Sequence, residues 1–262
     1  MPGTPLIMTH IFKNALVRKP SKSIINALSS RNIKPEYEVI LKEHNNYIKG
    51  LKNSGILIHN LESLKNFPDS VFIEDPALIY KSNCIILKPY HPSRIGESKI
   101  IKNEIVNYFQ NIFLIENGNI EGGDILNINN HFIIGLSKRT NKLGAKNLSI
   151  LLKSLGASVK VCKTPNDILH FKSECSYIDE ETLLVSQRMS KIDYLRKNFQ
   201  LIKLPEGEEL AANALRVNNK ILIADGFFKI EEMLSSKYDL IKININEISK
   251  IDAGLSCMSL RW

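Results

Sequence analysis

Hydrophobic and polar positions follow one another along this chain in an order that returns several times. Between positions 77 and 115, short apolar runs at Ala77–Tyr80 and Cys84–Leu87 precede a longer stretch near Ile95–Phe109 and a further run at Ile112–Ile115. The short runs have the length and β-branched content of strands, whereas apolar residues in the long stretch recur every three or four positions, as on one face of a helix. This segment is therefore predicted to form a β-β-α-β module.

The same order of elements returns in the next three segments, and such recurrence is typical of a repeat architecture. The predicted strands are Ile125–Ile128, His131–Ile134 and Ser158–Val161 in the second module, Cys175–Ile178, Thr182–Val185 and Leu201–Leu204 in the third, and Ala214–Val217, Lys220–Ile223 and Leu240–Ile243 in the fourth. The predicted helices carry Ala145, Leu148, Leu152 and Leu155 in register, or lie around Lys191–Lys197 and Phe227–Ser236.

A fifth module is divided between the two ends of the chain. Ser256–Leu260 supplies one strand, and Phe12–Val17, the amphipathic helix Pro35–Asn53 and Ile56–His59 supply the rest. Joining the ends closes a ring, and a ring leaves no outer strand edge unprotected. No linker rich in Pro, Gly or Ser interrupts the modules, so a single domain over residues 1–262 is predicted. The alternative is an open α/β sheet made of two halves.

Composition and charge narrow the class of protein. The chain has 262 residues, 44% of them hydrophobic, and its 35 Lys and Arg against 27 Asp and Glu give a net charge of +8. The lysines are scattered instead of clustered with aromatic residues, so nucleic acid is not an expected partner. No uncharged apolar run approaches the roughly 18 residues of a membrane helix, so a soluble cytoplasmic protein without a membrane partner is expected. The oligomeric state stays open, and a homodimer is one possibility.

The four cysteines are spaced too irregularly for a metal site or a disulfide framework. They form no C-x-x-C pair and have no histidine at metal-ligand spacing. Cys175 lies five residues after His170, but it begins a predicted strand, so we expect it to be buried and structural. The reactivity of Cys84 and Cys162 stays open.

Polar residues collect just before the first strand of each module. In a ring of modules these segments, which we call the mouth loops, face the same side, so their side chains are expected to converge near the axis. The segments are Asp69–Asp75, Glu121–Asp124, His170–Ser173, Glu206–Glu209 and Ser256–Met258.

A Cys and a His from separate mouth loops, with carboxylates nearby, are suited to act as nucleophile and general acid/base. A free thiol has a pKa of about 8.5, so Cys257 needs a protonated His or a bound cation beside it to react. From spacing alone, the favoured interpretation of Cys257 is a small buried hydrophobe, and that of His170 is a loop residue bonded to a backbone carbonyl. Gly122 and Gly123 permit either a close approach to a ligand or a plain hairpin turn. Arg139 is either a carboxylate ligand or an exposed residue at a helix start.

Taken together, several motifs resemble the dimethylarginine dimethylaminohydrolases of the guanidino-group-modifying superfamily. The resemblance covers nearly the whole chain and implies a five-bladed α/β propeller of β-β-α-β modules with pseudo-fivefold symmetry. It implies no metal and no organic cofactor, and a small methylated arginine as the bound partner. The motifs are Val71–Asp75, Glu121–Asp124, Gly135–Asn141, His170–Ser173 with Cys175–Ser176, Ala211–Asn213 and Asp252–Leu260.

The resemblance also implies a role for individual residues. Cys257 matches the nucleophile, His170 the general acid/base and Glu121 the carboxylate that orients the His, which reverses the interpretation from spacing. The residues matching substrate contacts are Glu74 and Asp75 at the guanidinium, Asp69 at the α-amino group, Arg94 and Arg139 at the α-carboxylate, and Leu28 and Ile251 through backbone or apolar atoms.

Lys172 bears on which member of the superfamily this is. Deiminases and amidinotransferases carry Asp two residues after the catalytic His, whereas this chain carries Lys172 after His170. Loss of that acid leaves room for a methylated nitrogen, so the expected reaction is hydrolysis of methylarginines to citrulline through a covalent thiouronium on Cys257. An arginine deiminase is the alternative, and a non-catalytic binding module is the alternative from a different class.

Overall fold

The computed structural model describes residues 9–31 and 33–262. Within these residues the strands form five three-stranded sheets. In each sheet the second strand of the module lies in the middle, antiparallel to the first strand and parallel to the third, as where Ala77 pairs with Ile86 and Cys84 pairs with Ile112. A parallel pair needs a crossover connection, and in each module the helix supplies it. Five β-β-α-β modules are therefore present.

The bounds of the elements follow the sequence pattern closely. The strands are β1 Asn14–Arg18, β2 Leu57–Leu61, β3 Ala77–Tyr80, β4 Asn83–Ile86, β5 Asn111–Leu114, β6 Ile125–Ile128, β7 His131–Leu136, β8 Ser158–Lys163, β9 Cys175–Tyr177, β10 Thr182–Val185, β11 Gln200–Lys203, β12 Leu215–Val217, β13 Lys220–Ala224, β14 Asp239–Ile243 and β15 Leu260–Arg261. The helices are α1 Tyr37–Asn53, α2 Ile95–Ile105, α3 Lys142–Ser154, α4 Asp193–Asn198, α5 Phe228–Ser235 and α6 Asn246–Ser249.

One predicted strand is wrong. Ser256–Leu260 was expected to be extended, but Leu255–Met258 forms a 3₁₀ turn and only Leu260–Arg261 pairs with β1. The reason is that other groups engage the backbone there: the Ser256 N–H donates to the side chain of Asn213, and the Cys257 N–H donates to the Gly254 carbonyl. This turn keeps Cys257 out of the hydrogen-bonded pairing with β1.

The hydrophobic core consists of five clusters, and each joins two neighbouring modules. One cluster packs the helix and strands of the fifth module on those of the fourth, as where Tyr47 and Leu51 meet Leu222. Another packs Leu16 and Leu260 of the fifth module on Ile101 of the first, and the other three join the first to the second, the second to the third and the third to the fourth. The clusters link the modules in a cycle, which is the five-bladed α/β propeller that was expected, and the open sheet is wrong.

The mouth loops sit at one end of the first strands and contact one another through the backbone. The Gly122 N–H donates to the Asp75 carbonyl at 3.1 Å, and the Glu74 N–H donates to the Cys257 carbonyl at 3.2 Å. Short 3₁₀ turns at Gly122–Asp124, Phe171–Ser173, Glu209–Ala212 and Leu255–Met258 precede four of the first strands. None of the helices in the described part of the chain has the length and apolar character that crossing a membrane requires.

Candidate active site

Cys257 lies on the 3₁₀ turn before β15, partly exposed, at the wall of a cavity of about 710 Å³. Burial raises the pKa of its thiol to about 12, and the neighbouring carboxylates of Glu74 and Asp75 act in the same direction because they oppose a thiolate. The sulfur is therefore a thiol at neutral pH. Cys257 is not the strand-buried residue that spacing alone favours, whereas Cys175 is fully buried in β9, as expected.

His170 and Glu121 form a buried hydrogen-bonded pair between two mouth loops. His170 Nε2 lies 2.7 Å from Glu121 Oε2, and Glu121 Oε1 accepts the Tyr90 N–H at 2.9 Å. Burial by itself lowers the pKa of His170, but the carboxylates of Asp75, Asp124 and Glu121 outweigh it and raise the pKa to about 9. The imidazole therefore carries a proton at neutral pH, and Glu121 fixes its orientation.

Gly122 and Gly123 allow the mouth loops to approach each other. A Cβ on Gly122 would lie 2.0 Å from the Glu74 carbonyl oxygen, and a Cβ on Gly123 would lie 2.7 Å from Cγ of the His170 ring. Both distances are too short for any side chain, so the two glycines are required by close packing against the carboxylate loop and the imidazole.

Asp75 lies at the centre of the arrangement. One of its carboxylate oxygens accepts the Gly123 N–H at 3.0 Å, and the other accepts Arg94 Nη1 at 2.5 Å. Burial raises the pKa of Asp75, but the charges on Arg94 and His170 outweigh it, and the net shift is downward. The charge on Asp75 acts on both His170 and Cys257, so this ionised carboxylate neighbours both the expected acid/base and the expected nucleophile.

Glu74 is held by different partners from those of Asp75. Its Oε1 accepts Lys172 Nζ at 2.6 Å and Arg261 Nη2 at 3.2 Å, and its Oε2 accepts the Ser256 hydroxyl at 3.0 Å. Two cations and a hydroxyl thus hold this carboxylate beside the turn that carries Cys257. Glu74 and Lys172 also line a second cavity of about 140 Å³.

Arg94 is fully buried and already engaged. It donates to both oxygens of Glu97, to Asp75, and to the backbone carbonyls of Asp69 and Phe72. Burial opposes its charge, but Glu97 and Asp75 raise its pKa well above the ordinary value. Sequence reasoning missed Glu97, although its position three residues after Arg94, at the start of α2, is a common spacing for a helical ion pair.

The remaining predicted residues lie around this centre. Asp69 accepts the Leu28 N–H at 3.1 Å, and burial raises the pKa of its carboxyl. Arg139 Nη1 lies 3.6 Å from Glu121 Oε1 and its side chain is mostly buried, so it is not an exposed helix-start residue. Ile251 is buried in the hydrophobic cluster against which Cys257 packs, with no polar contact from its side chain.

A proton, not a metal ion, suits the acidic centre. Ligand atoms of Asp75, Glu121 and His170 lie within 4.8 Å of one another. Metal binding requires a neutral imidazole, whereas the pKa of His170 is raised to about 9 and Arg94 already pairs with Asp75. The same atoms instead stabilise an imidazolium.

Two more residues that the sequence reasoning left without a role stand behind the site. Asp124 is fully buried, and its oxygens accept the Phe171 N–H at 2.8 Å and the Ser137 hydroxyl at 2.6 Å, so it supports the loop that begins with His170. Asn213 bonds to Lys172 and Ser256. Both belong to motifs quoted above, Glu121–Asp124 and Ala211–Asn213, and a polar residue inside such a motif was the available signal.

The chain is similar in sequence to known proteins over most of its length. A family model described as arginine deiminase matches residues 63–222. A curated N(G),N(G)-dimethylarginine dimethylaminohydrolase of Pseudomonas aeruginosa is 35% identical over 257 residues, which is 96% of this chain and 100% of the relative. Another protein of that name, from Streptomyces coelicolor, is 26% identical over 95% of this chain and 96% of its own length.

Solved structures show the same fold. The P. aeruginosa dimethylarginine dimethylaminohydrolase, as a Cys-to-Ser mutant complexed with citrulline, superposes with a TM-score of 0.93 at 34% identity and covers 96% of this chain and 100% of its own. A dimethylarginine dimethylaminohydrolase variant in an adduct with S-methyl-L-thiocitrulline gives a TM-score of 0.92 with the same identity and coverage. The N-terminal domain of a cyanobacterial arginine dihydrolase shares the fold at 18% identity, with a TM-score of 0.84 over 95% of this chain and 96% of that one.

Proposed function

Because this chain belongs to the arginine deiminase family, and within it to the dimethylarginine dimethylaminohydrolases, we propose that it hydrolyses N-methylated arginines. Asymmetric dimethylarginine would give citrulline and dimethylamine, and monomethylarginine would give citrulline and methylamine. The observation that carries the proposal is the ionised Asp75 next to both the Cys257 thiol and the His170–Glu121 pair. The proposal includes a single catalytic domain over residues 1–262. Four free cysteines fit a reducing compartment such as the cytoplasm.

The charges around the site match a free amino acid with a guanidinium side chain. Such a substrate carries two cations and one anion, so it calls for carboxylates at its two ends and arginine at its carboxylate. Glu74 and Asp75 are assigned to the guanidinium, Asp69 to the α-amino group, and Arg139 with Arg94 to the α-carboxylate. Support comes from proximity: the charges of Arg94, Arg139 and Asp75 all act on Asp69, and the Leu28 N–H bonds to it.

Binding of the substrate cation is the step that ionises Cys257. Without it, burial and the carboxylates of Glu74 and Asp75 hold the pKa of the thiol at about 12. A guanidinium beside Asp75 would offset that negative field, and the thiol would release its proton to solvent. The thiolate would then form a carbon–sulfur bond with the guanidinium carbon, giving a neutral tetrahedral adduct.

His170 would then move protons in both half-reactions. As imidazolium it protonates the departing dimethylamine, the carbon–nitrogen bond breaks, and a covalent thiouronium remains on Cys257. As neutral imidazole it takes a proton from water, whose oxygen attacks the thiouronium carbon. As the carbon–sulfur bond of the resulting tetrahedral adduct breaks, its hydroxyl proton is lost to solvent, and citrulline and the thiolate are released. Glu121 holds the imidazole through both steps, because its 2.7 Å hydrogen bond fixes Nε2.

Arginine deiminase activity is the second candidate, favoured by the family model that matches residues 63–222. Lys172 argues against it, because the position that carries an acid in deiminases holds a cation paired with Glu74. Citrulline release should be measured in parallel from asymmetric dimethylarginine, monomethylarginine and arginine, with Cys257→Ser as the control. Release from the methylarginines in the parent alone supports the proposal. No release from any of the three would overturn it and leave the non-catalytic binding module.

A further inference from the structure

The side chain of Asn213 connects two of the mouth loops, His170–Ser173 and Ser256–Met258. It lies at the end of the turn Glu209–Ala212 and is 6% exposed. Its Nδ2 donates to the Lys172 carbonyl at 2.7 Å and to the Ser256 hydroxyl at 3.1 Å, and its Oδ1 accepts the Ser256 N–H at 2.8 Å. Both amide hydrogens and the amide oxygen are therefore used. One loop so joined carries His170, two residues before Lys172, and the other carries Cys257, next to Ser256.

The turn that carries Cys257, Leu255–Met258, is preceded by Gly254, which packs directly on this amide. A Cβ on Gly254 would lie 2.5 Å from Asn213 Cγ, so the chain before Cys257 touches the side chain with no room to spare. Ser256 passes the connection on, because its hydroxyl donates to Glu74 at 3.0 Å. The Glu74 N–H in turn donates to the Cys257 carbonyl, which closes the set of contacts around the turn.

The two reacting side chains, Cys257 and His170, are carried by separate mouth loops. Among the hydrogen bonds of residues 9–31 and 33–262, none joins the Cys257 sulfur to the His170 ring. Their separation therefore depends on how the two loops are held. Asn213 bonds the backbone of both loops, at the Lys172 carbonyl and the Ser256 N–H, whereas Glu74 reaches the same two residues only through their side chains. The hydrogen bonds of Glu121 in the described part of the chain hold the imidazole and include none to the turn that carries Cys257.

We propose that Asn213 is a positioning residue for the thiol and the imidazole. It has no role in proton transfer or bond formation. It acts through the Ser256 N–H and the Lys172 carbonyl, and it sets the distance from the sulfur to the acid/base. A displacement of about 1 Å in such a pair costs about 10²-fold in rate, which is the scale on which this residue acts. For turnover the inference rests on the proposed function.

The test compares Asn213→Ala with a matched variant, Asn83→Ala. Asn83 is also a buried asparagine, 8% exposed, whose Nδ2 donates to a backbone carbonyl, that of Tyr80 at 3.1 Å, but it lies at the hairpin end of β4 and bonds no mouth loop. Four quantities are measured in each variant: the melting temperature, kcat and KM for dimethylarginine, and the rate of alkylation of the thiol by 2-chloroacetamidine. The last needs no turnover.

Asn213→Ala should lower kcat by at least 30-fold, roughly a third of the 10²-fold scale, with KM changed less than about threefold. Alkylation should slow by at least about tenfold on the same reasoning. Asn83→Ala should leave kcat, KM and the alkylation rate within about threefold of the parent, at a loss of melting temperature comparable to that of Asn213→Ala. If either kcat or the alkylation rate in Asn213→Ala stays within threefold of Asn83→Ala, the inference is wrong.

Asn213→Asp keeps the test decisive if the alanine variant does not fold. The carboxylate has the same shape and still accepts the Ser256 N–H, but it donates neither to the Lys172 carbonyl nor to the Ser256 hydroxyl. The connection to the His170 loop therefore breaks, while the bond to the backbone of the Cys257 turn is kept. The inference expects the same fall in kcat and alkylation as for alanine, and parent-like values contradict it. If the parent fails to turn over any methylarginine, the proposed function fails, while the alkylation ratio still decides the role of Asn213.

Discussion

His170 and Cys257 share the neighbourhood of Asp75, and the same negative field acts on two different kinds of acid. For His170 the charged form is the protonated one, so the carboxylates of Asp75, Asp124 and Glu121 stabilise the charge and raise the pKa to about 9. For Cys257 the charged form is the deprotonated one, so Glu74 and Asp75 destabilise it, in the direction of burial, and the pKa rises to about 12. Both groups are protonated at neutral pH.

The difference shows what each half of the site needs. The imidazole side is complete in the free protein, because a proton is present and three carboxylates hold it. The thiol side is incomplete, because its own environment opposes the reactive thiolate. Under the proposed function, a cationic substrate supplies the missing positive charge, and an anionic or neutral ligand does not. His44 marks the contrast: it is also buried, no charge offsets that burial, and its pKa is lowered to about 4.

The largest expected effect comes from removing either the thiol or the imidazole. Cys257→Ser and His170→Ala should each lower kcat by at least about 10³-fold, because nucleophile and acid/base act as a unit. Citrulline release under saturating dimethylarginine measures this, and a melting curve close to that of the parent shows that the fold is kept. Turnover near the parental rate in either variant would refute the assignment of the site.

The same comparison predicts which cysteine reacts. A haloacetamidine should alkylate the parent at one thiol, and labelling should be lost in Cys257→Ser and kept in Cys175→Ser. Cys175 is fully buried in β9 and burial raises the pKa of its thiol strongly, so it is out of reach of a reagent. Mass spectrometry of the intact chain gives the stoichiometry, and a label that persists in Cys257→Ser would place the nucleophile elsewhere.

The next prediction concerns the substrate carboxylate, which lies far from the reacting carbon. A charge-assisted contact contributes about 1.5–3 kcal/mol, so Arg139→Ala should raise KM by roughly 10- to 100-fold with a smaller change in kcat. The amide of the substrate should be poor for the parent and little worse for the variant. An amide that equals the free acid in the parent would remove Arg139 from the clamp.

Arg94→Ala is expected to behave differently from Arg139→Ala. Arg94 is buried between Asp75 and Glu97, and removal of one member of a buried ion pair costs about 3–5 kcal/mol. The free energy of unfolding, measured in denaturant, should therefore fall further in Arg94→Ala than in Arg139→Ala, whose ion pair with Glu121 is longer, at 3.6 Å. Equal stability of the two variants would contradict the buried ion-pair network.

A further prediction concerns substrate specificity, for which a smaller change in kcat/KM is expected. Lys172 pairs with Glu74, so no acid is available at the position where deiminases carry one. Unsubstituted arginine would leave an N–H donor unpaired, at about 1–3 kcal/mol. Methylarginines should exceed arginine in kcat/KM by at least about tenfold, the factor that 1.4 kcal/mol represents. A preference for arginine, with inert methylarginines, would favour the deiminase while leaving Cys257 and His170 in their roles.

The smallest expected effect is a change in the pKa of His170 alone. Asp124 raises the pKa of His170, so the isosteric Asp124→Asn should lower it. Because His170 must be protonated to release the amine, activity falls as pH rises through its pKa, and this falling limb should move to lower pH in the variant. Asp239→Asn, at an exposed carboxylate paired with Lys220, is the control and should not move it. A pH profile of kcat unchanged in Asp124→Asn would remove that carboxylate from the account.

The order of elements and the location of the chemistry were readable in the sequence because both depend on residues close together in the chain. Strands such as Ala77–Tyr80, Ile125–Ile128 and Thr182–Val185 were predicted to the residue, since apolar periodicity and nearby turn residues decide them. The strand at Ser256–Leu260 was wrong, because Asn213, more than forty positions away, takes the Ser256 N–H.

Tertiary structure alone decided the states of the site residues. The resemblance pointed to His170, Glu121 and Cys257, yet whether they carry protons depends on burial and on the field of charges brought together by folding. Glu121 and His170 lie 49 positions apart, and Glu74 and Ser256 lie 182 apart. Electrostatic energies depend on distance and dielectric surroundings in space, which no local pattern of residues encodes. The sequence by itself determined which groups are present. The packing of five modules decided that His170 is already protonated and that the Cys257 thiol stays protonated until a positive charge lies beside it.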